Sequence, residues 1–222
     1  IFIFFISFIV TPSSRINNQK HPSQWQGILE GFSYLNANKG LRLLLLLTFI
    51  NNIFIMGPAI IGLPVFVREI LKSDFIVFAQ METAMAVGMI IGSLLFWKIT
   101  KTINPISILL FGIVMDGITY SLLYISESSI SSIIFLLIHG IGIPLITISR
   151  TTIIQAVVPD KFRGRLFSMI YMAVMGTTAL SIWLTGLILE QIGADILFLI
   201  IGIGAAGSPK IRFNKSIFHF SI

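Results

Sequence analysis

The chain contains no cysteine. That excludes both a disulfide framework and a thiolate metal site. Charge is scarce too: Asp, Glu, Lys and Arg make up 11% of the 222 residues, against 55% hydrophobic ones, and mean hydropathy is +0.96. A soluble domain of this length needs more charge to coat its surface. No His-Glu-x-x-His, Gly-x-Ser-x-Gly or Walker sequence occurs, so the familiar hydrolase and nucleotide-binding chemistries lack their residues. His21, His139 and His219 are too scattered along the chain to mark a metal site. Neither a cofactor nor a metal is expected. The net charge of +6 does not point to nucleic acid, because the charges sit in short loops beside apolar segments.

Those apolar segments dominate the chain. A helix needs about 20 apolar residues to cross the hydrocarbon core. Leu43–Val67, Ile76–Trp97, Ile106–Ile125, Ile130–Ser149 and Leu166–Leu189 meet that length. Ile196 to about Gly207 is short, and the opening Ile1–Val10 is shorter. Ile1–Val10 has no basic flank and no convincing cleavage site before Arg15, so it reads as the end of a truncated transmembrane helix rather than a signal peptide. Residues 11–40 form a polar linker. Its first half holds Pro12, Pro22 and several Ser and Asn residues, a mobile composition. Its second half, Gln24 to Asn38, sets Trp25, Ile28, Leu29, Phe32 and Leu35 at helical spacing, as an amphipathic helix at a membrane interface does. Residues 41–207 are the transmembrane bundle. Residues 208–222 read as an aberrant cytoplasmic tail, because Lys210, Arg212 and Lys215 interrupt the last apolar run.

The basic residues fall on alternate loops. Thirteen of the fifteen lie on one side of the implied bilayer; the exceptions are Arg68 and Lys72. The positive-inside rule makes the richer side cytoplasmic. The expected setting is the plasma (inner) membrane, with linker and tail in the cytoplasm.

Polar and small residues inside the spans are the candidate working parts. Asn51 and Asn52 lie near mid-depth of the first full span, ahead of Gly57-Pro58 and Pro64. The prolines kink the helix. The amides need partners in hydrocarbon, so they either join helices or face a wet cavity. In the second span Ala84, Gly88 and Gly92 form a small-residue stripe suited to close helix packing. Beside it stand Glu82, Met85 and Met89. A carboxylate with adaptable methionines fits a path for a cationic or amphipathic substrate; the alternative is a glutamate reaching headgroup water. Asp116 and His139 lie near the middles of their spans. Each either carries a proton or is paired structurally with a hydroxyl on a neighbour. Gly140, Gly142 and Pro144 predict a bent or loosened helix. Ala173, Thr177, Ser181 and Thr185 make a hydroxyl-bearing stripe, for packing or for lining a cavity.

The loop Val158-Pro159-Asp160-Lys161-Phe162-Arg163-Gly164-Arg165 is the most specific stretch. Pro159 and Asp160 suit a helix start. A Pro-Asp-x-x-Arg-Gly-Arg loop entering a helix resembles the loop between the tenth and eleventh helices of major facilitator superfamily transporters. Glu30-Gly31-Phe32-x-Tyr34-Leu35, Leu41-Arg42-Leu43-Leu44 and Leu63-Pro64-Val65-Phe66-Val67-Arg68-Glu69 are similar to the linker and seventh helix of its exporter branch, the macrolide-efflux and enterobactin-exporter type. The resemblance runs from Gln24 to Gly204. It implies the carboxyl-terminal half of such a transporter, with Pro159, Asp160, Arg163, Gly164 and Arg165 as a conformational loop. Phe96-Trp97 replace the Asp-Arg of the superfamily's loop pattern after Gly92. The implied cavity-lining helices carry Asn51, Asn52, Glu82, Met85, Met89 and His139; the implied position of Asp116 is peripheral.

The expected fold is an all-α membrane protein, a six-helix half of a major-facilitator-type bundle built from two inverted three-helix repeats. The expected function is proton-coupled efflux of an amphipathic small molecule or drug, not an enzymatic reaction. The expected partners are the lipid bilayer, the small-molecule substrate, and either an N-terminal six-helix half or a second copy; nucleic acid is not among them. A second reading is a non-transporting remnant of a decayed transporter gene, or a membrane scaffold, which the missing start, short last span and tail favour.

Overall fold

The computed structural model describes residues 24–207, and every regular element among them is helical. The expectations for Ile1–Val10, for the first half of the linker and for the tail from Ser208 lie outside the described residues. Helix α1 is Gln24–Ala37 and α2 is Lys39–Gly57. A π-helical turn, Pro58–Gly62, joins α2 to α3, Leu63–Glu69. Next come α4, Phe75–Ile99; α5, Pro105–Tyr124; α6, Ser129–Val157; and α7, Asp160–Gly207. Five helical segments are long and apolar enough to cross a membrane: Lys39–Glu69, Phe75–Ile99, Pro105–Tyr124, Ser129–Val157 and Asp160–Ala194. Ile196–Ala205 is a shorter apolar helix.

Local chemistry explains the boundaries. Asn104 caps α5 by accepting from the Ile106 N–H at 2.8 Å, and Pro105 opens the helix. Ser128 caps α6 through the Ser131 N–H. At Gly193 φ is 80° and ψ 171°, backbone that glycine adopts without strain. There the chain turns back on itself. Before the turn α7 runs alongside α2, with Thr177 against Asn52 and Ser181 against Gly57. After it the order reverses: Leu197 lies against Gly62, and Gly204 against Phe54.

The end of α2, just before Pro58, is held by a side chain from α7. The Gly57 N–H donates to Ser181 Oγ at 2.7 Å, and Ser181 Oγ donates to the Ile53 carbonyl at 2.5 Å. Residues 53 and 57 are helical i and i+4 partners, so a hydroxyl is inserted into the backbone ladder just before the π turn. The stripe Thr177, Ser181 and Thr185 is buried and meets α2 at Asn52 and Gly57; it packs helices together. Ser181→Ala should cost about 1 kcal/mol, the usual scale for an interhelical hydrogen bond in a membrane protein. A denaturant titration in micelles that leaves the unfolding midpoint unmoved contradicts this.

Two details differ from the sequence expectation. The fourth span does not stop at Ser149. Helix α6 stays helical through Pro144 and on to Val157, so Arg150 lies inside a helix rather than in a loop. On α1, Leu35 is buried but Leu29 and Phe32 are 66% and 56% exposed; the side chains of Trp25 and Ile28 lie outside what the structure describes. The docked face is set by Gly31, whose missing side chain admits Met169 Sδ, and by Tyr34, which stacks on Phe162 at 4.7 Å.

Candidate functional site

A cavity of about 470 Å³ opens among α2, α4, α5, α6 and α7. Most of its wall is aliphatic. Its polar members are Thr48, Asn51, Asn52, Glu82, Asp116, Tyr120, His139, Thr147 and Arg150. That combination, an apolar hollow with a few convergent polar groups, is the usual form of a small-molecule site.

The deepest polar cluster joins three helices. Asp116 is 3% exposed and His139 2%. Asn51 Nδ2, on α2, donates to Asp116 Oδ2 at 3.2 Å. His139 Nδ1, on α6, lies 3.1 Å from Asp116 Oδ1 and 3.0 Å from Thr119 Oγ1. The two carboxylate oxygens therefore face two different helices. Tyr120 sets its ring edge-on to His139, centroids 4.5 Å apart, and stacks on Phe198 behind it. This fixes the imidazole plane. Four buried side-chain atoms lack a hydrogen-bond partner among the described residues: Asn51 Oδ1, Asp116 Oδ1, Tyr120 OH and Ser149 Oγ. Three of the four belong to residues of this cluster. Buried polar atoms of this kind are rare without a water or ligand to meet them.

The neighbouring amide serves packing. Asn52 Nδ2 has Thr177 Oγ1, Thr178 Oγ1 and the Val174 carbonyl within 3.0 Å, tying α2 to α7. Both asparagines thus join helices, and both also border the cavity. Glu82 and Met85 line it as well, whereas Met89 does not and is 38% exposed. Ala84, Gly88 and Gly92 are buried on the adjoining face of α4, toward α6. A Cβ on Gly88 would strike the Leu137 carbonyl and one on Gly92 the Ile141 carbonyl.

The loop before α7 is an anchoring point. Arg163 pairs with Asp160 at 2.6 Å and donates to the Val158 carbonyl at 2.9 Å and to the Gln155 carbonyl. It therefore satisfies the carbonyl end of α6 from the first turn of α7. Arg165 pairs with Glu30 of α1. Pro159 precedes the first turn of α7. Gly164 has nothing near the place a side chain would take, so close approach is not its purpose.

The resemblance implies a peripheral place for Asp116, and the end of the fourth apolar run at Ser149 puts Arg150 at the start of a loop. Both line the cavity. Asp116 turns inward, with Asn51 donating to Oδ2 and the His139 ring at ion-pair distance from Oδ1. Arg150 was masked because a charge after an apolar run reads as the edge of the span; its spacing from His139, Ile143 and Thr147 keeps it on the same helical face.

Apolar helices bundled around a largely aliphatic cavity with a few buried polar groups make this a polytopic membrane protein with room for a small molecule. A family model described as a transmembrane secretion effector, of the major facilitator superfamily, matches residues 2–214, and the chain belongs to that family of membrane transporters. Searches of curated proteins and of solved structures found no match.

Proposed function

We propose that the chain is part of a secondary active exporter that moves an amphipathic small molecule in exchange for protons. The observation that carries this reading is the Asp116 clasp: one buried carboxylate, bordering the cavity, that accepts a hydrogen bond from Asn51 of α2 at Oδ2 and stands within ion-pair distance of His139 of α6 at Oδ1. An ionised carboxylate only accepts hydrogen bonds, whereas its protonated form also donates one. Proton arrival at Asp116 or His139 therefore changes how three helices hold one another. That is a means of tying proton movement to a rocking motion about a midplane site. The aliphatic wall with Met56 and Met85 suits ligands of varied apolar shape.

The same proposal includes a facing helical bundle, from the same polypeptide or a second copy, that completes the cavity. The helices bordering it leave Ile90, Leu94, Met172 and Met175 exposed, an apolar surface for lipid and for such a bundle. The protein sits in the plasma membrane with the end bearing α1, Arg163 and Arg165 in the cytoplasm, as the distribution of Lys and Arg supports.

The test is transport driven by a pH gradient in proteoliposomes, with the protein as its own gene expresses it. Asp116→Asn keeps the size and the acceptor for Asn51 but cannot exchange a proton. It should slow proton-driven transport by about 100-fold, the low end for a positioned proton-transfer group, and leave substrate binding within about threefold. Undiminished proton-driven transport in both Asp116→Asn and His139→Gln sinks the coupling assignment.

A further inference from the structure

Arg150 is a charged group in the cavity wall that the coupling scheme does not use. It stands on α6 eleven residues after His139. Eleven residues is close to three helical turns, so the two side chains share a face, and both line the cavity. Arg150 is half-buried within a helix apolar enough to span a membrane. The ion pairs among the described residues are His139–Asp116, Arg163–Asp160 and Arg165–Glu30; Arg150 is in none of them, and no described residue hydrogen-bonds its guanidinium.

The acidic groups of the cavity do not reach it. Asp116 is engaged by Asn51 and His139. Glu82 lies toward the other end. Helices α4 and α6 run parallel, with Gly88 against Gly140 and Gly92 against Pro144, which puts Glu82 level with about Ile134. At 1.5 Å per residue that is roughly 24 Å along the axis from Arg150. An Arg in so apolar a setting is costly unless an anion meets it. Arg150 also borders a second cavity, of about 550 Å³, between α6 and α7, whose wall includes Phe167, Tyr171 and Met172. Arg150, with no ion-pair partner among the described residues, thus borders two cavities with apolar lining.

We infer that Arg150 recognises the acidic group of an amphipathic organic acid, a carboxylate, sulfonate or phosphate, whose apolar body fills the adjoining cavity. This rests on the transporter reading above and adds the substrate class to it. The guanidinium fork matches such oxyanions in two parallel hydrogen bonds.

The test compares two ligands of one shape, 1-naphthaleneacetate and 1-naphthaleneacetamide, by equilibrium dialysis against the full protein in phosphatidylcholine nanodiscs. The acid should bind about tenfold tighter or more, the scale of a hydrogen-bonded charge pair. Arg150→Gln should bring the acid to the affinity of the amide and leave the amide unchanged. Arg150→Lys should keep part of the preference, since an ammonium supplies the charge but not the fork. Equal binding of acid and amide by the unaltered protein overturns the assignment while leaving the cavity as a ligand site. Binding of neither compound overturns the ligand site and the assignment together. Adding phosphatidylglycerol separates the two sources of anion: unchanged affinity for the acid supports a soluble substrate, and loss of it gives Arg150 to a lipid headgroup and overturns the proposal.

Discussion

Gly88→Leu should unfold or misassemble the bundle at temperatures where the parent protein is intact. At this crossing α4 and α6 meet backbone to backbone. A Cβ at Gly88 would overlap the Leu137 carbonyl and stand 3.0 Å from Gly140 Cα; one at Gly140 would overlap the Met85 carbonyl. These neighbours are main chain, which cannot swing aside as a side-chain end can. Overpacking a tight core costs about 1–3 kcal/mol, and a contact with backbone on both sides belongs at the upper end. Small residues at such crossings are how membrane helices gain dispersion contact without a hydrophobic drive. The comparison is Gly176→Leu: residue 176 is exposed, with nothing within 4 Å of the place its Cβ would take. Thermal unfolding in micelles should fall sharply for Gly88→Leu and for Gly140→Leu, and stay near the parent for Gly176→Leu. Equal behaviour of all three contradicts the close crossing. Because α4 carries Glu82 and Met85 on its cavity side, the displaced helix should also lose ligand binding.

How far the sequence discloses such features depends on the range over which each is determined. The spans are legible because length and apolarity are local properties, and the small-residue stripe of α4 is legible because spacing is local. Which partner a polar residue meets is not. Asn51 and Asn52 announce that amides need partners, but adjacent positions on a helix point about 100° apart. One therefore meets Asp116 on α5, and the other meets Thr177 and Thr178 on α7. Asp116 itself sits in a helix that is apolar nearly all round, so periodicity does not say which side faces in. Arg150 misleads for a different reason: charge after an apolar run reads as the end of a span, whereas the helix that runs on to Val157 keeps it in step with His139 on the cavity wall. The Ser181 hydroxyl is visible as part of a stripe. Its insertion between Ile53 and Gly57 follows from a contact between segments more than a hundred residues apart.

Replacing either Asp116 or His139 alone should harm stability more per residue than replacing both. In Asp116→Leu the imidazole keeps only Thr119 Oγ1, and the Asn51 amide loses its acceptor. In His139→Leu the carboxylate keeps only Asn51. Removing one partner of a buried pair costs about 3–5 kcal/mol, because the other is left without compensation, whereas an apolar replacement of the whole pair is often close to neutral. Here the double variant still strands Asn51 Nδ2, so neutrality is not expected. It should nevertheless be more stable than the sum of the single losses predicts, by about 1–3 kcal/mol. Unfolding midpoints of the four proteins of the cycle measure this directly. Strict additivity contradicts the pair as a unit, whatever transport shows. The cycle also divides structural from coupling roles. A double variant that folds well, binds ligand in the cavity, and yet no longer transports against a pH gradient places the proton-dependent step in this clasp. A double variant that still uses the gradient leaves the clasp as a structural joint among α2, α5 and α6.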